Sequence, residues 1–105
     1  MYKGTTLVQN IDIISEGAPY LLQADEQLHF GVKESADASK LLIAKTWNSS
    51  DQSSDGAVEL KILPKETLKL PSKIYKYDIG LQRGEDYFII VPESDFVVKN
   101  SITQW

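Results

Sequence analysis

The stretch Leu68–Leu81, LKLPSKIYKYDIGL, decides the fold of this chain. After Pro71, hydrophobic residues occupy every second position, and polar residues such as Lys76 and Asp78 lie between them. A period of two places alternate side chains on opposite faces of a β-strand. The segment is therefore predicted to form a strand with one solvated face and one buried face, the latter carrying Tyr75, Tyr77, Ile79 and Leu81.

Other segments extend this pattern along the chain. Leu28–Val32, Val58–Ile62 and Phe96–Val98 alternate in the same way. Leu41–Ala44 and Tyr87–Val91 are instead continuous apolar runs, which predicts strands that are buried on both faces or lie under a loop. We predict a core that contains Phe30, Trp47, Leu60, Tyr75, Tyr77, Ile79, Leu81 and Phe96.

Turn-forming segments separate these strands. Asn48–Gly56 is a polar loop, and Arg83–Asp86 is predicted to be a hairpin turn in which Gly84 adopts a positive φ. Pro92–Asp95 is predicted to break the last two strands, and Pro64–Leu70 to form one or two helical turns. About seven short strands with frequent turns predict an all-β fold, an antiparallel immunoglobulin-like sandwich.

Composition limits the classes of function. A chain of 105 residues is predicted to form one domain, 1–105. Its net charge of −4 argues against partners that are nucleic acids or anionic membranes. The absence of cysteine excludes disulfides and thiolate chemistry. With no apolar run long enough to be a signal peptide, synthesis in the cytoplasm is expected.

The chain shows no catalytic or metal-binding pattern. His29 is the only histidine, and on the polar face of a strand it is predicted to be a solvent-facing residue. Asp51 and Asp55 match only part of the ligand pattern of a calcium-binding loop. A hydrolase using the acidic residues around Glu85 and Glu93 is a third, weaker hypothesis. We therefore predict no enzyme activity, no cofactor and no metal.

Aromatic residues outside the strand patterns are candidates for contacts. Tyr2, Tyr20 and Trp105 are predicted to lie in protein–protein interfaces. Alternatively, Trp47 with Tyr20 and Trp105 could form an aromatic platform for a sugar. Tyr75 or Tyr77 is a candidate for the corner hydrogen bond of immunoglobulin-like sandwiches.

Four passages resemble the immunoglobulin-like N-terminal domain of phage baseplate upper proteins and tail-fibre adaptor proteins. They are ADEQLHFGVKES, LLIAKTW, DGAVELKILPKETLKLPSKIYKYDIGL and DFVVKNSIT, and together they span roughly residues 24–103. Lys73 departs from the pattern, since that family often has glycine there. Residues 1–23 match less well and are predicted to be an added strand or an assembly arm, with Tyr2–Ile14 as the arm.

The resemblance implies a non-enzymatic phage or prophage structural protein that mediates protein–protein contacts in a tail, baseplate or fibre. Its expected partners are other phage structural proteins, with a homo-oligomer as a further option, and its expected final location is the virion. The alternative function is a carbohydrate-binding β-sandwich module, for which the partner would be a glycan.

Overall fold

The computed structural model of the chain describes residues 1–100 and 102. Within these residues the chain forms strands joined by short turns, with one single-turn α-helix and a 3₁₀ turn at Ser49–Asp51. The elements are β1 (Leu7–Asp12), β2 (Ile14–Ser15), β3 (Ala18–Pro19), β4 (Glu26–Lys33), β5 (Ile43–Asn48), β6 (Ala57–Ile62), α1 (Pro64–Thr67), β7 (Lys73–Arg83) and β8 (Asp86–Val98).

The strands form antiparallel sheets, as the alternating patterns predicted. The larger sheet has four strands in the order β5–β4–β7–β8, and β1 pairs with β6 in a second sheet. β2 and β3 form a small separate ribbon. β8 thus lies at one edge of the larger sheet, where only β7 pairs with it along its length.

The core lies between the four-stranded sheet and the β1–β6 sheet, because β4, β6 and β7 each turn one face inward. Six of the predicted core residues are buried, and Tyr77 and Leu81 are half-buried against them. The Tyr77 ring packs 5.5 Å from the Phe30 ring centroid and meets the Phe96 ring edge-on at 6.4 Å. The buried six are Phe30, Trp47, Leu60, Tyr75, Ile79 and Phe96.

The β7–β8 hairpin has the turn that its sequence predicted. Arg83 pairs with Asp86, which leaves Gly84 and Glu85 as a two-residue loop. Gly84 has φ +57°, whereas Glu85 does not have a positive φ. A glycine with positive φ at the first central position is the pattern of a type II′ turn, which matches the twist of the strands that it joins.

The corner before β7 is closed by Tyr75. Its hydroxyl donates to the carbonyl oxygen of Pro71 at 2.6 Å, so Tyr75 rather than Tyr77 makes the corner hydrogen bond. The helix at this corner is shorter than the predicted Pro64–Leu70 and spans only α1. Thr67 at its end is buried, and the Thr67 hydroxyl accepts from the backbone N–H of Gly4 at 3.0 Å.

Three predictions about strands were wrong. Leu41–Ala44 is not a strand buried on both faces, because β5 begins at Ile43 and Leu41 is exposed. Tyr87–Val91 is not buried either, because it lies on the edge strand β8, where four of its five residues are exposed. Pro92–Asp95 does not break the strand.

β8 continues through Pro92 because β-bulges interrupt its pairing with β7 there. Tyr77 pairs with Ser94 and Ile79 with Val91, so β8 contains one residue more than β7 between these pairs. A second irregularity follows between Ile79 and Gly80. Proline lacks a backbone N–H and is tolerated at bulges and on edge strands, where no ladder hydrogen bond is lost.

Residues 1–23 contain the strand β1 and the ribbon of β2 and β3. β1 pairs with β6 from Leu7 with Ile62 to Asp12 with Ala57. The middle of the predicted arm segment Tyr2–Ile14 is therefore hydrogen-bonded within this chain.

Candidate functional site

The last residues of β8 are covered on their outer side by the start of the chain. Tyr2 forms a parallel bridge with Lys99. The Lys3 N–H donates to the Lys99 carbonyl at 2.8 Å, and the Lys99 N–H donates to the Met1 carbonyl at 2.9 Å. This end of the edge strand therefore has hydrogen-bonding partners on both sides, and Tyr2 contributes to it through its backbone.

The first half of β8 has no such cover. Within the described residues, no strand pairs with the outer side of Asp86–Val91, which we call the open edge. Four consecutive apolar residues of the open edge are exposed: Tyr87 by 53%, Phe88 by 45%, Ile89 by 52% and Ile90 by 43%. Unpaired strand edges with apolar side chains promote association, and natural proteins usually protect them.

The side chains of the open edge point to both faces of the larger sheet. Tyr87 lies on the outer face, where its ring centroid is 6.2 Å from that of His29. Phe88 pairs with Leu81, and the Arg83 guanidinium lies 5.6 Å from the Phe88 ring centroid. Ile90 lines the opening between the two sheets.

An apolar cleft lies beside the open edge. It has a volume of about 370 Å³ and enters the sandwich between the end of β1 and the start of β8. Because β1 has no strand on its other side within the described residues, the sandwich is open here. The lining includes Ile11, Ile13, Ile14, Leu81, Ile90 and Val91.

Acidic residues lie at both ends of the open edge. Glu85 and Asp86 precede its aromatic residues, and Glu93 follows Val91. These three carboxylates form no ion pair with a described residue. The nearby cation Arg83 is instead paired with Glu26 at 2.9 Å. The open edge is thus an apolar strip bounded by carboxylates that form no ion pair with a described residue.

A buried carboxylate fixes the hairpin that begins β8. Glu26 is fully buried, and the Tyr20 hydroxyl donates to its two oxygens at 2.7 and 2.8 Å. The Gln23 N–H donates to Glu26 Oε1 at 2.7 Å, and Arg83 Nε donates to Oε2 at 2.9 Å. Since Arg83 ends β7, this cluster ties the hairpin to the start of β4.

The same cluster shifts two pKa values. Burial by itself would raise the pKa of Glu26, but the hydrogen bonds from Gln23, Tyr20 and Arg83 outweigh it and hold the pKa below its usual range. The hydrogen bond to Glu26 and partial burial raise the pKa of Tyr20. Glu26 is therefore a carboxylate and Tyr20 a neutral phenol at neutral pH.

Of the predicted contact residues, Tyr20 lines the apolar cleft beside the open edge, and Tyr2 lies at the other end of β8. Tyr20 is half-buried with its hydroxyl on Glu26, and Trp105 lies outside the described residues. Tyr2 is 54% exposed beside the covered end of β8. Trp47 is buried, its indole Nε1 donates to the Glu59 carbonyl at 3.0 Å, and it contributes to the lining of the apolar cleft.

Sequence reasoning missed Tyr87–Ile90, although a signal was present. A continuous apolar run fits a strand that is buried on both faces or lies under a loop, but proline inside a strand pattern favours an edge strand. Pro92 supplied that signal, and it was interpreted as a break. The flanking carboxylates of Glu85, Asp86 and Glu93 are a second sign of a strand that faces solvent.

His29 is less exposed than predicted. It is half-buried on the outer face of the larger sheet, where its ring nitrogens contact Thr46 Oγ1 at 3.0 Å and Gln82 Oε1 at 2.8 Å. The acidic residues of the hydrolase hypothesis, Glu85, Asp86, Glu93 and Asp95, are all exposed.

No helix among the described residues is long and apolar enough to cross a membrane. Over the same part of the chain, no three histidine, cysteine or acidic side chains are grouped closely enough to hold a metal ion. Comparison with known protein families, with curated proteins and with solved structures finds no match to this chain.

Proposed function

We propose that this chain is a non-enzymatic, immunoglobulin-like binding module whose open edge receives an extended strand from a different protein. The observation that carries the proposal is the run of four exposed apolar residues on an unpaired strand edge, Tyr87–Ile90. A strand added to such an edge gains backbone hydrogen bonds, while its side chains enter pockets on alternate faces.

The strand order supports an immunoglobulin-like arrangement. In that fold, strands C, F and G lie side by side in one sheet, C′ can join C, and strand B pairs with E in the other sheet. In this chain β5–β4–β7–β8 match C′–C–F–G, and β1 and β6 match B and E in chain order. The hydrogen bond from Tyr75 to Pro71 at the start of β7 corresponds to the tyrosine corner.

The charges around the open edge support a partner that is not a second copy of the chain. In an antiparallel pair of two open edges centred between Ile89 and Ile90, Asp86 of each copy would lie opposite Glu93 of the other. Like charges directly opposite each other destabilise a strand pair. The preferred partner strand therefore has an apolar centre and a lysine or arginine at each end.

The apolar cleft supports the same proposal. It lies next to Ile90 between the two sheets, so a side chain of an added strand can enter it from the open edge. A partner strand with a large apolar side chain near its centre would bury the exposed parts of Ile14 and Ile90, which are 65% and 43% exposed. Burial of apolar surface contributes about 25 cal/mol per Å² before the costs of association.

The setting that the sequence resemblance implies for such a module is a phage tail, baseplate or fibre, where the partner would be another structural protein. The carbohydrate-binding alternative on the predicted platform has less support. Trp47 is buried in the core, and the Tyr20 hydroxyl is held by Glu26.

A pair of labelled peptides tests the proposal. Both have the same alternating valine–threonine centre, and one has two lysines at each end where the other has two glutamates. By fluorescence anisotropy we expect the lysine peptide to bind at least about tenfold more tightly, a difference of about 1.4 kcal/mol, and its affinity to fall as salt is raised.

Two matched variants locate the binding. Ile90→Lys places a charge on the open edge and should abolish binding of the lysine peptide. Ile74→Lys makes the same change at a residue that is 55% exposed on the interior strand β7, and should leave binding intact. Equal binding of both peptides, no binding of either, or a stable dimer of the chain in gel filtration would contradict the proposal.

A further inference from the structure

A second concave surface lies on the outer face of the larger sheet, on the side away from the core. It has a volume of about 480 Å³, within the range of small-molecule sites, and we call it the outer trough. The middle of the trough is lined by small residues, Gly31 of β4 and Ala44 of β5, and these leave room for a ligand. Leu41 overhangs one side, and a Cβ on Gly31 would lie 2.7 Å from Leu41 Cδ2.

Tyr87 lies at the other side of the outer trough. Its ring extends across Gly80, since a Cβ built on Gly80 would be 2.0 Å from the phenolic oxygen and 2.2 Å from Cζ. The ring therefore rests on the sheet at a position that only glycine permits. Tyr87 is nevertheless 53% exposed, so the sheet supports an aromatic surface that a ligand can reach.

The histidine beside Tyr87 is held in place by its neighbours. Gln82 Oε1 can only accept, so His29 Nε2 donates to it at 2.8 Å. In the neutral ring, Nδ1 then accepts from the Thr46 hydroxyl at 3.0 Å. His29 and Thr46 thus form a fixed polar wall of the trough.

Three lysines and two carboxylates also line the outer trough: Lys33, Lys45, Lys76, Asp78 and Glu93. Lys45 is paired with Glu66. Lys33, Asp78 and Glu93 form no ion pair with a described residue, whereas Lys76 is paired with Asp95. Partial burial and the nearby Asp78 raise the pKa of Tyr87, so its hydroxyl remains a donor at neutral pH.

We propose that the outer trough binds a neutral saccharide, with a sugar ring packed on Tyr87 and its hydroxyl groups hydrogen-bonded to Asp78, Glu93 and Lys33. A sugar ring has an apolar face of C–H groups and a rim of hydroxyls that both donate and accept. The supported aromatic ring matches the first property, and unpaired carboxylates beside an unpaired amine match the second. The three groups without an ion pair carry one positive and two negative charges, which disfavours an anionic ligand.

This site is distinct from the proposed strand-binding edge, although Tyr87 belongs to both surfaces. The trough uses the outer face of the sheet, whereas an added strand uses the backbone edge of β8 and the cleft at Ile90. Neither Trp47 nor Tyr20 of the predicted sugar platform lines the trough.

Titration followed by amide NMR tests the site. The probes are maltotriose, cellotriose and chitotriose, each added to about 10 mM, which would nearly saturate a site with a dissociation constant of about 1 mM. At least one probe should shift the amide signals of Gly31, Ala44, Thr46 and Gly80. Shifts confined to other regions, no shifts with any of the three, or stronger binding of sialyllactose or inorganic phosphate would overturn the proposal.

Three variants separate a binding role from a structural one. Tyr87→Ala should weaken saccharide binding at least about tenfold, a difference of about 1.4 kcal/mol. Gly80→Ala keeps the tyrosine but displaces its ring, and should weaken binding similarly in a protein whose dispersed amide spectrum shows that it is folded. Phe88→Ala changes the adjacent open-edge residue outside the trough and should leave saccharide affinity unchanged. Equal losses in all three variants would overturn the assignment of Tyr87.

Discussion

Replacing Tyr75 by alanine should lower the free energy of unfolding by about 3–5 kcal/mol, which is typical for a large aromatic residue removed from a core. Tyr75 is 1% exposed and is the largest of the fully buried side chains. It stands at the start of β7, where the corner after α1 joins the larger sheet. Its removal leaves a cavity and frees the corner at the same time. Urea unfolding followed by circular dichroism measures the loss.

Tyr75→Phe is the matched control for this change. It keeps the ring but removes the hydroxyl that donates to the Pro71 carbonyl at 2.6 Å, so its cost should be about 0.5–1.5 kcal/mol. If the phenylalanine variant lost as much stability as the alanine variant, the hydrogen bond rather than packing would hold the corner. A loss below about 1 kcal/mol in Tyr75→Ala would contradict the assignment of Tyr75 to the core.

Glu26→Gln should lower the free energy of unfolding by about 2–3 kcal/mol at pH 7, because a fully buried acceptor of several hydrogen bonds is replaced by an amide. Gln23 donates to Oε1 and Arg83 donates to Oε2, so replacing either oxygen by an NH₂, which cannot accept, leaves one of these donors without its acceptor. The cost is below that of breaking a fully buried ion pair, because the Arg83 side chain is 48% exposed and water can solvate it.

The effect of Glu26→Gln should depend on pH in a defined direction. The pKa of Glu26 in the folded protein is held below the value of about 4.3 in an unfolded chain. The ionised carboxylate therefore stabilises the fold fully above the unfolded pKa, and this contribution is lost as pH falls through the folded pKa. The difference in stability between wild type and Glu26→Gln should be constant from pH 7 to about pH 5 and shrink towards pH 3.

Urea unfolding of the two proteins at these pH values tests this dependence. Every other carboxylate is common to both, so its contribution cancels in the comparison. A difference that stayed the same at pH 3 would contradict a lowered pKa for Glu26. One that grew as the pH fell would indicate a raised pKa instead.

The sequence predicted best the two strands that lie inside the larger sheet. β4 and β7 lie inside the larger sheet, so one face of each meets the core and the other does not, and alternation records this directly. β8 is different, because an apolar run is the same in sequence whether it is buried on both faces or exposed at an edge. Only the position of β8 in the sheet distinguishes the two cases, and local periodicity carries no information about strand order.

Local sequence patterns could not predict the polar contacts of the candidate sites either, because several of these contacts join residues that are far apart in the sequence. Arg83 and Glu26 are separated by 57 positions, and Tyr87 reaches Gly80 only because the β7–β8 hairpin places them on adjacent strands. The bridge between Tyr2 and Lys99 likewise joins residues that are far apart in the sequence. Such pairings depend on the register of the sheets.

Amide hydrogen exchange along β8 tests the role of the open edge most directly. In the free protein, the amides of Lys3 and Lys99 donate hydrogen bonds and should be protected, whereas the outward-facing amides of Tyr87–Ile90 should exchange rapidly. Saturating lysine-flanked peptide should slow exchange at Tyr87–Ile90 at least about tenfold, equivalent to about 1.4 kcal/mol, and leave Ile74 unchanged. Unchanged exchange at Tyr87–Ile90 with the peptide bound, or new protection only along β1 or β5, would contradict the proposal.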